Sequence, residues 1–296
     1  LSGFADGGDH DVDLGADMNW AAFEEVLYKT PWWLLTPLML GGMALAAGGG
    51  FAIRVRFAAK SDEGTGEEET GFVVPAVMGL MALLLGFTFA LAIERFENRR
   101  QLVLSEANAI QAGYLRTQLL PEPHRARISG LLTHYADNRL KLGVAKPGDI
   151  GELLAENSRI TTDLWAATSA AFEDIKGLDF SAAYVESMNN LIEMDSSRQA
   201  ERNAHIPGKV FFMLYLYALA SAAVLSYALA SRRGRVAAAV LLLLMQSALA
   251  LIIDIDRPTL GGVNESQEPM IALRDTLRAQ PPTVFDRYRT VPKIGP

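Results

Sequence analysis

The sequence predicts an all-α, polytopic membrane protein with four transmembrane helices and a helical extramembrane domain inserted between spans two and three. Three observations carry this. Residues 32–53, 72–93, 210–230 and 236–253 contain no charged side chain. Each run is close to the roughly 20 residues a helix needs to cross about 30 Å of hydrocarbon. The polar stretch 94–209 repeats its apolar residues at three- and four-residue steps, and nowhere does the chain alternate with the period of two that marks a strand. The averages hide this division. Of the 296 residues, 50% are hydrophobic and 21% charged, and mean hydropathy is +0.15. Those values lie near those of a soluble domain.

The elements follow in order. Residues 1–31 form an acidic tail. Met18, Trp20, Phe23, Val26 and Leu27 mark either an interfacial amphipathic helix or a loop packed on the protein's own surface. Residues 32–93 hold the first two spans, with Tyr28, Trp32 and Trp33 as interfacial aromatics and Tyr215 and Tyr217 near the third. Backbone groups in lipid must pair internally, so the runs are helices. Small residues recur every fourth position: Gly42, Ala46 and Gly50, then Ala82, Gly86 and Ala90, then Ala218, Ala222 and Ser226. Such stripes allow close helix approach.

Nothing breaks the second span's helix before Pro121 and Pro123, so it is expected to run from about residue 72 to 120, roughly 70 Å at 1.5 Å per residue. Val103, Ala107, Ile110 and Tyr114 mark its buried face. Three further helices are expected within 94–209. They span about 124–142, about 150 to Gly177 (using Leu164, Trp165 and Phe172), and about 180–204. Pro207 and Gly208 mark re-entry into the membrane, and 210–253 holds the last two spans. In 254–296, Met270, Leu273 and Leu277 predict a short amphipathic helix, followed from Gln280 by a Pro-rich extended tail, docked or mobile.

The short loops carry Arg54, Arg56 and Lys60, and Arg232, Arg233 and Arg235, whereas the N-terminal tail is acidic with Lys29 alone opposing. The positive-inside rule puts both loops in the cytoplasm and the helical domain and both termini outside. A chain that begins with Leu1 is what signal-peptide removal or trimming leaves.

The absence of cysteine excludes disulfides, Cys-bound metal and thiol nucleophiles. A net charge of −7 and pI near 5.2 argue against nucleic-acid binding. No phosphate-loop, zinc-protease or serine-hydrolase motif is present, so neither an enzyme nor a cofactor is expected. His10 alternates with Asp9, Asp11 and Asp13, but the Glu that would complete a calcium loop is missing, and no metal site is expected. No ionisable residue lies inside a span, which argues against a proton-coupled transporter but not a channel. The polar residues singled out along the long helix are Arg99, Arg100, Glu106, Asn108 and Arg116. Asp254, Asp256 and Arg257 end the fourth span as an interfacial ion-pair cluster, in which Arg257 fixes a carboxylate and Arg99 or Arg100 meets Asp254 or Asp256.

The stretch 83–121 resembles the bacterial bestrophin-like membrane proteins, through Gly86, Phe87, Arg99-Arg100, Glu106-Ala107-Asn108, Tyr114 and Arg116. Tyr135, the segment Leu191 to Arg198 and Pro207 add to the likeness. Asp254-Ile255-Asp256-Arg257-Pro258, Gly261 and Ser266-Gln267 resemble a second signature, so the likeness covers roughly 32–278. The resemblance implies a homo-oligomeric (tetrameric or pentameric) channel for small ions, anions foremost, in the bacterial inner membrane. It also implies a cytoplasmic soluble region, opposite to the charge count. The second span is expected to line the axis, with a constriction at Phe87, Thr88 and Phe89. The charge cluster from Arg99 to Arg257 is expected at the vestibule. The alternative is a non-conducting scaffold or signalling protein whose helical domain binds a partner.

Overall fold

The computed structural model describes residues 20–58, 66–146, 148–229, 231–257 and 262–288. His10 and its neighbouring aspartates, Lys60 and residues 258–261 lie outside them. Among the described residues the secondary structure is helical, with no strand.

The first helices are α1 (Trp20–Lys29), α2 (Trp32–Ala58) and α3 (Gly66–Thr117). At 52 residues, α3 is about 78 Å long. It runs on because no breaker follows Pro75. It ends three residues short of the expected 120 because its last turn tightens: the amides of Gln118, Leu119 and Leu120 each bond three residues back. Next come α4 (His124–Gly143), α5 (Ile150–Ile175) and α6 (Ser181–Asn203), then α7 (Gly208–Ala228), α8 (Arg232–Asp256) and α9 (Glu268–Ala279). Four of these helices are long and apolar enough to cross a membrane.

Two separate cores hold the chain. The first joins α1, α2, α7, α8 and the apolar half of α3, around Met43, Met81, Leu214, Ala218 and Leu249. Here α2 and α7 pack most closely. A Cβ at Gly42 would stand 2.0 Å from Tyr215 Oη, and one at Gly50 would stand 2.1 Å from the Ala223 carbonyl oxygen. The small residues of the first and third spans therefore permit backbone-to-backbone approach, as their spacing predicts. The stripe on the second span, Ala82, Gly86 and Ala90, faces outward.

The second core joins the far half of α3 with α4, α5, α6 and α9, around Ile110, Leu132, Tyr135, Leu164, Met188 and Met270. Two expectations fail here. Trp165 and Phe172 are exposed, seven residues apart on the outer face of α5, and smaller residues, Ile160, Ala167, Ala171 and Ile175, fill the core instead. The stretch that follows α9 is not extended as far as residue 288. Residues Pro282–Asp286 form a 3-10 turn that folds back, Phe285 packs edge-on to Tyr114, and Arg125 bridges Glu122 and Asp286.

α1 docks on the start of α7. Trp20 and Phe23 meet Phe212 edge-on, and Glu24 accepts the Gly208 amide at 2.8 Å. The segment is therefore a helix and not a loop, and it packs against the start of α7.

Candidate functional site

At the end of α8 the helix projects Asp254 and Asp256 in different directions, since residues two apart do not share a face. Asp256 is fully buried. Its Oδ2 accepts the Tyr28 hydroxyl at 2.8 Å and the Ile206 amide at 3.0 Å, which ties α1, α8 and the entry to α7 together. Burial, then the Asp256 carboxylate, pushes the Tyr28 phenol well above its usual range. His205 stacks on the Tyr28 ring with centroids 4.2 Å apart, and burial depresses its pKa. Asp254 accepts the Gly262 amide at 2.8 Å.

The expected pairings across this cluster are not the ones formed. Arg257 is buried and donates to the carbonyls of Leu27 and Thr30, not to a carboxylate. Arg99 donates to Glu265 at 2.5 Å and to the Ile255 carbonyl at 2.8 Å, while Arg100 turns outward to Glu97. Backbone amides and the Tyr28 hydroxyl take Asp254 Oδ1 and Asp256 Oδ2, while the guanidinium groups pair with backbone carbonyls and Glu265.

Glu106 lies in the other core, with no exposure. It accepts the Tyr135 hydroxyl at 2.7 Å, pairs with Arg139 Nε at 2.8 Å, and is bridged by Arg198. Arg139 also reaches Asp195 at 2.9 Å, and Asn157 and Gln199 donate to the same carboxylate at 3.0 Å. The network balances two acids against two arginines. Burial and then the Glu106 charge hold the Tyr135 phenol far above its ordinary value. Sequence reading found Glu106 but not Arg139, Asn157 or Asp195. The available signal was weak: Tyr135 and Arg139 one turn apart on α4, and Asp195 and Arg198 three apart on α6.

The remaining candidates lie on α3. Thr88 is buried, and its hydroxyl donates to the Leu84 carbonyl at 2.8 Å, so it faces the interior of the helix bundle. Phe87 and Phe89 are exposed, as are Arg100, Asn108 and Arg116. Exposure follows a stripe along the helix: Phe87, Leu91, Glu94, Asn98, Gln101, Ser105 and Asn108. These recur at alternating three- and four-residue steps, so they share one face. The stripe is apolar to Leu91 and polar from Glu94 onward. Among the described residues no group of three or more His, Asp and Glu side chains is arranged to hold a metal ion.

Comparison with solved structures shows the same fold. One variant of a bacterial bestrophin homologue from Klebsiella pneumoniae matches with a TM-score of 0.59 at 17% identity, covering 83% of this chain and 95% of that one. A second variant matches with a TM-score of 0.54 at 18% identity, covering 82% and 96%. A structure described as a membrane protein matches at 0.57 and 16%, covering 85% and 99%. At these identities the likeness is one of fold. A search of curated proteins finds no match to the sequence. A family model, the bestrophin-like domain, matches residues 41–270. That match takes in the first span from Gly41 onward, the other three spans, the buried Glu106 network and the Asp254–Arg257 knot, and on it this membrane protein belongs to the bestrophin-like family.

Proposed function

We propose that the chain assembles as a homo-oligomer around α3 and conducts ions along the axis so formed. The observation that carries this reading is the uncovered stripe on α3. A helix facing lipid along its whole length would stay apolar, and one ending in solvent would be charged. This stripe passes from Phe87 and Leu91 within the span, through a single acid, Glu94, to Asn98, Gln101, Ser105 and Asn108, uncharged polar residues suited to a water-filled passage. Ala82, Gly86 and Ala90 on the outward side leave room for copies to approach. Phe87, on the stripe, forms the constriction. Phe89, two residues further on, points to another face of the helix, and Thr88 acts from behind as part of the packed wall. Arg100 and Arg116 bias ions at the vestibule. Arg99, Glu106, Asp256 and Arg257 hold the architecture.

The helical domain, residues 94–209 with α9 packed against it, stands outside the bilayer. Arg54 and Arg235 lie at the opposite end of the span bundle, where Arg54 donates to the carbonyls of Tyr227 and Ala228 and Arg235 lies over the Phe51 ring. That grouping supports one basic, cytoplasmic rim, with the domain extracytoplasmic. The family name favours anions as the carried species, and Glu94 in the stripe is the residue that opposes them.

Purified protein in planar bilayers tests the reading. Currents that depend on Phe87 are the expected result. Silence across voltage, salt and pH from a verified oligomer would leave a non-conducting scaffold that binds a partner through its helical domain.

A further inference from the structure

A cavity of about 440 Å³ opens beside the inner face of α3, between the C-terminal ends of α4 and α6 and the stretch leading into α9. Ligand pockets start at about 300 Å³. Three arginines line it: Arg99, Arg198 and Arg202. Arg198 is engaged by Glu106. Arg99 is only 6% exposed, and although Nε and Nη2 have acceptors, its Nη1 is buried without one. Arg202 is half-buried, and its one hydrogen bond among the described residues goes to the Leu142 carbonyl at 3.2 Å. Burial, then the charges of Arg198 and Arg139, lower its pKa, which marks a locally positive field. A buried guanidinium group with donors to spare is matched by an oxyanion, whose geometry fits the fork. Leu102, Leu142 and Val144 add an apolar wall that suits an organic portion.

We propose that this cavity binds an oxyanion, the phosphate group of a small organic ligand or of a lipid head group, through Arg99 and Arg202. The site lies on the face of α3 that looks into the protomer, off the stripe assigned to conduction. It therefore stands or falls separately from the channel reading. Glu201 and Glu265 also line the cavity. Glu265 is held by Arg99, whereas Glu201 has no ion pair among the described residues and repels the incoming charge.

The full chain in phosphatidylcholine nanodiscs, titrated calorimetrically with inorganic phosphate and with phenyl phosphate at constant ionic strength, gives the test. Saturable binding is expected, tighter for phenyl phosphate. Arg202→Gln weakens it by about tenfold or more, the scale of a hydrogen bond to a charged group. Val144→Glu places a charge at a residue 77% exposed, so the fold is untouched while binding weakens. Glu201→Gln strengthens it. Adding phosphatidic acid to the nanodiscs separates the two sources: blocked phenyl phosphate binding assigns the lipid, and undisturbed binding assigns the soluble ligand. The proposal is overturned if neither probe nor phosphatidic acid binds, or if binding is the same in Arg202→Gln and Val144→Glu as in the parent.

Discussion

Glu106 of α3 and Arg139 of α4 form an enclosed ion pair, Oε1 to Nε 2.8 Å, with the acid at 0% and the base at 5% side-chain exposure. The polar half of the long helix α3 is thereby fastened to the helices that pack around it. Removing one partner leaves Arg139 and Arg198 buried and underpaired. Glu106→Gln is expected to destabilise the domain by about 3–5 kcal/mol. Arg100→Gln, which breaks only the exposed pair with Glu97, should cost less than about 1 kcal/mol. Thermal and denaturant unfolding of both variants in the same detergent checks the contrast.

The contact between α2 and α7 leaves no room for a methyl group at Gly50, where a Cβ would stand 2.1 Å from a backbone oxygen. Gly50→Ala should cost about 1–3 kcal/mol, the scale of overpacking. Gly49→Ala, with nothing within 4 Å, should be close to neutral. Equal melting curves for the two would contradict the packing described.

His205, in the link between α6 and α7, is kept below its ordinary pKa of 6.5, chiefly by burial. Asp256 works against this depression, while Arg99 and Arg95 add to it. The unfolded chain thus binds the proton more readily. The contribution to stability is complete above about pH 6.5 and is lost as pH falls through 6.5 toward the depressed folded value. Melting temperatures measured from pH 8 to 5 should decline more steeply in the parent than in His205→Gln.

If the α3 stripe lines the passage, Phe87→Ala widens the constriction and raises single-channel current, whereas Thr88→Val, behind the wall, leaves it unchanged. Glu94→Gln removes the one acidic side chain of the stripe and shifts the reversal potential toward anion preference. A current insensitive to both Phe87 and Glu94 would place the passage elsewhere.

The chain has no native thiol, so single cysteines report sidedness directly. Ser158→Cys on α5 and Arg232→Cys at the start of α8 both lie on exposed positions. An impermeant maleimide applied to intact cells should label the first and spare the second. The reverse pattern would put the helical domain in the cytoplasm.

The span helices, the length of α3 and the helices of the domain were legible in the sequence because each depends on local composition. Hydrocarbon selects uncharged runs, and a helix continues until a breaker stops it. The residues Asp254, Asp256, Arg257, Arg99 and Glu106 were legible as a set for the same reason, since charges are rare near a membrane and stand out. What the tertiary structure alone decided was who meets whom. Trp165 faces outward because smaller side chains fill the space beneath α5. Thr88 turns inward and Phe87 outward because adjacent residues on a helix lie about 100° apart. Arg257 reaches the carbonyls of Leu27 and Thr30, more than two hundred residues away, because α1 folds back to the end of α8. Solvent preference is a property of a segment and can be read along the chain. Ion pairing depends on the relative rotation and depth of packed helices, and those are set only when the whole bundle closes.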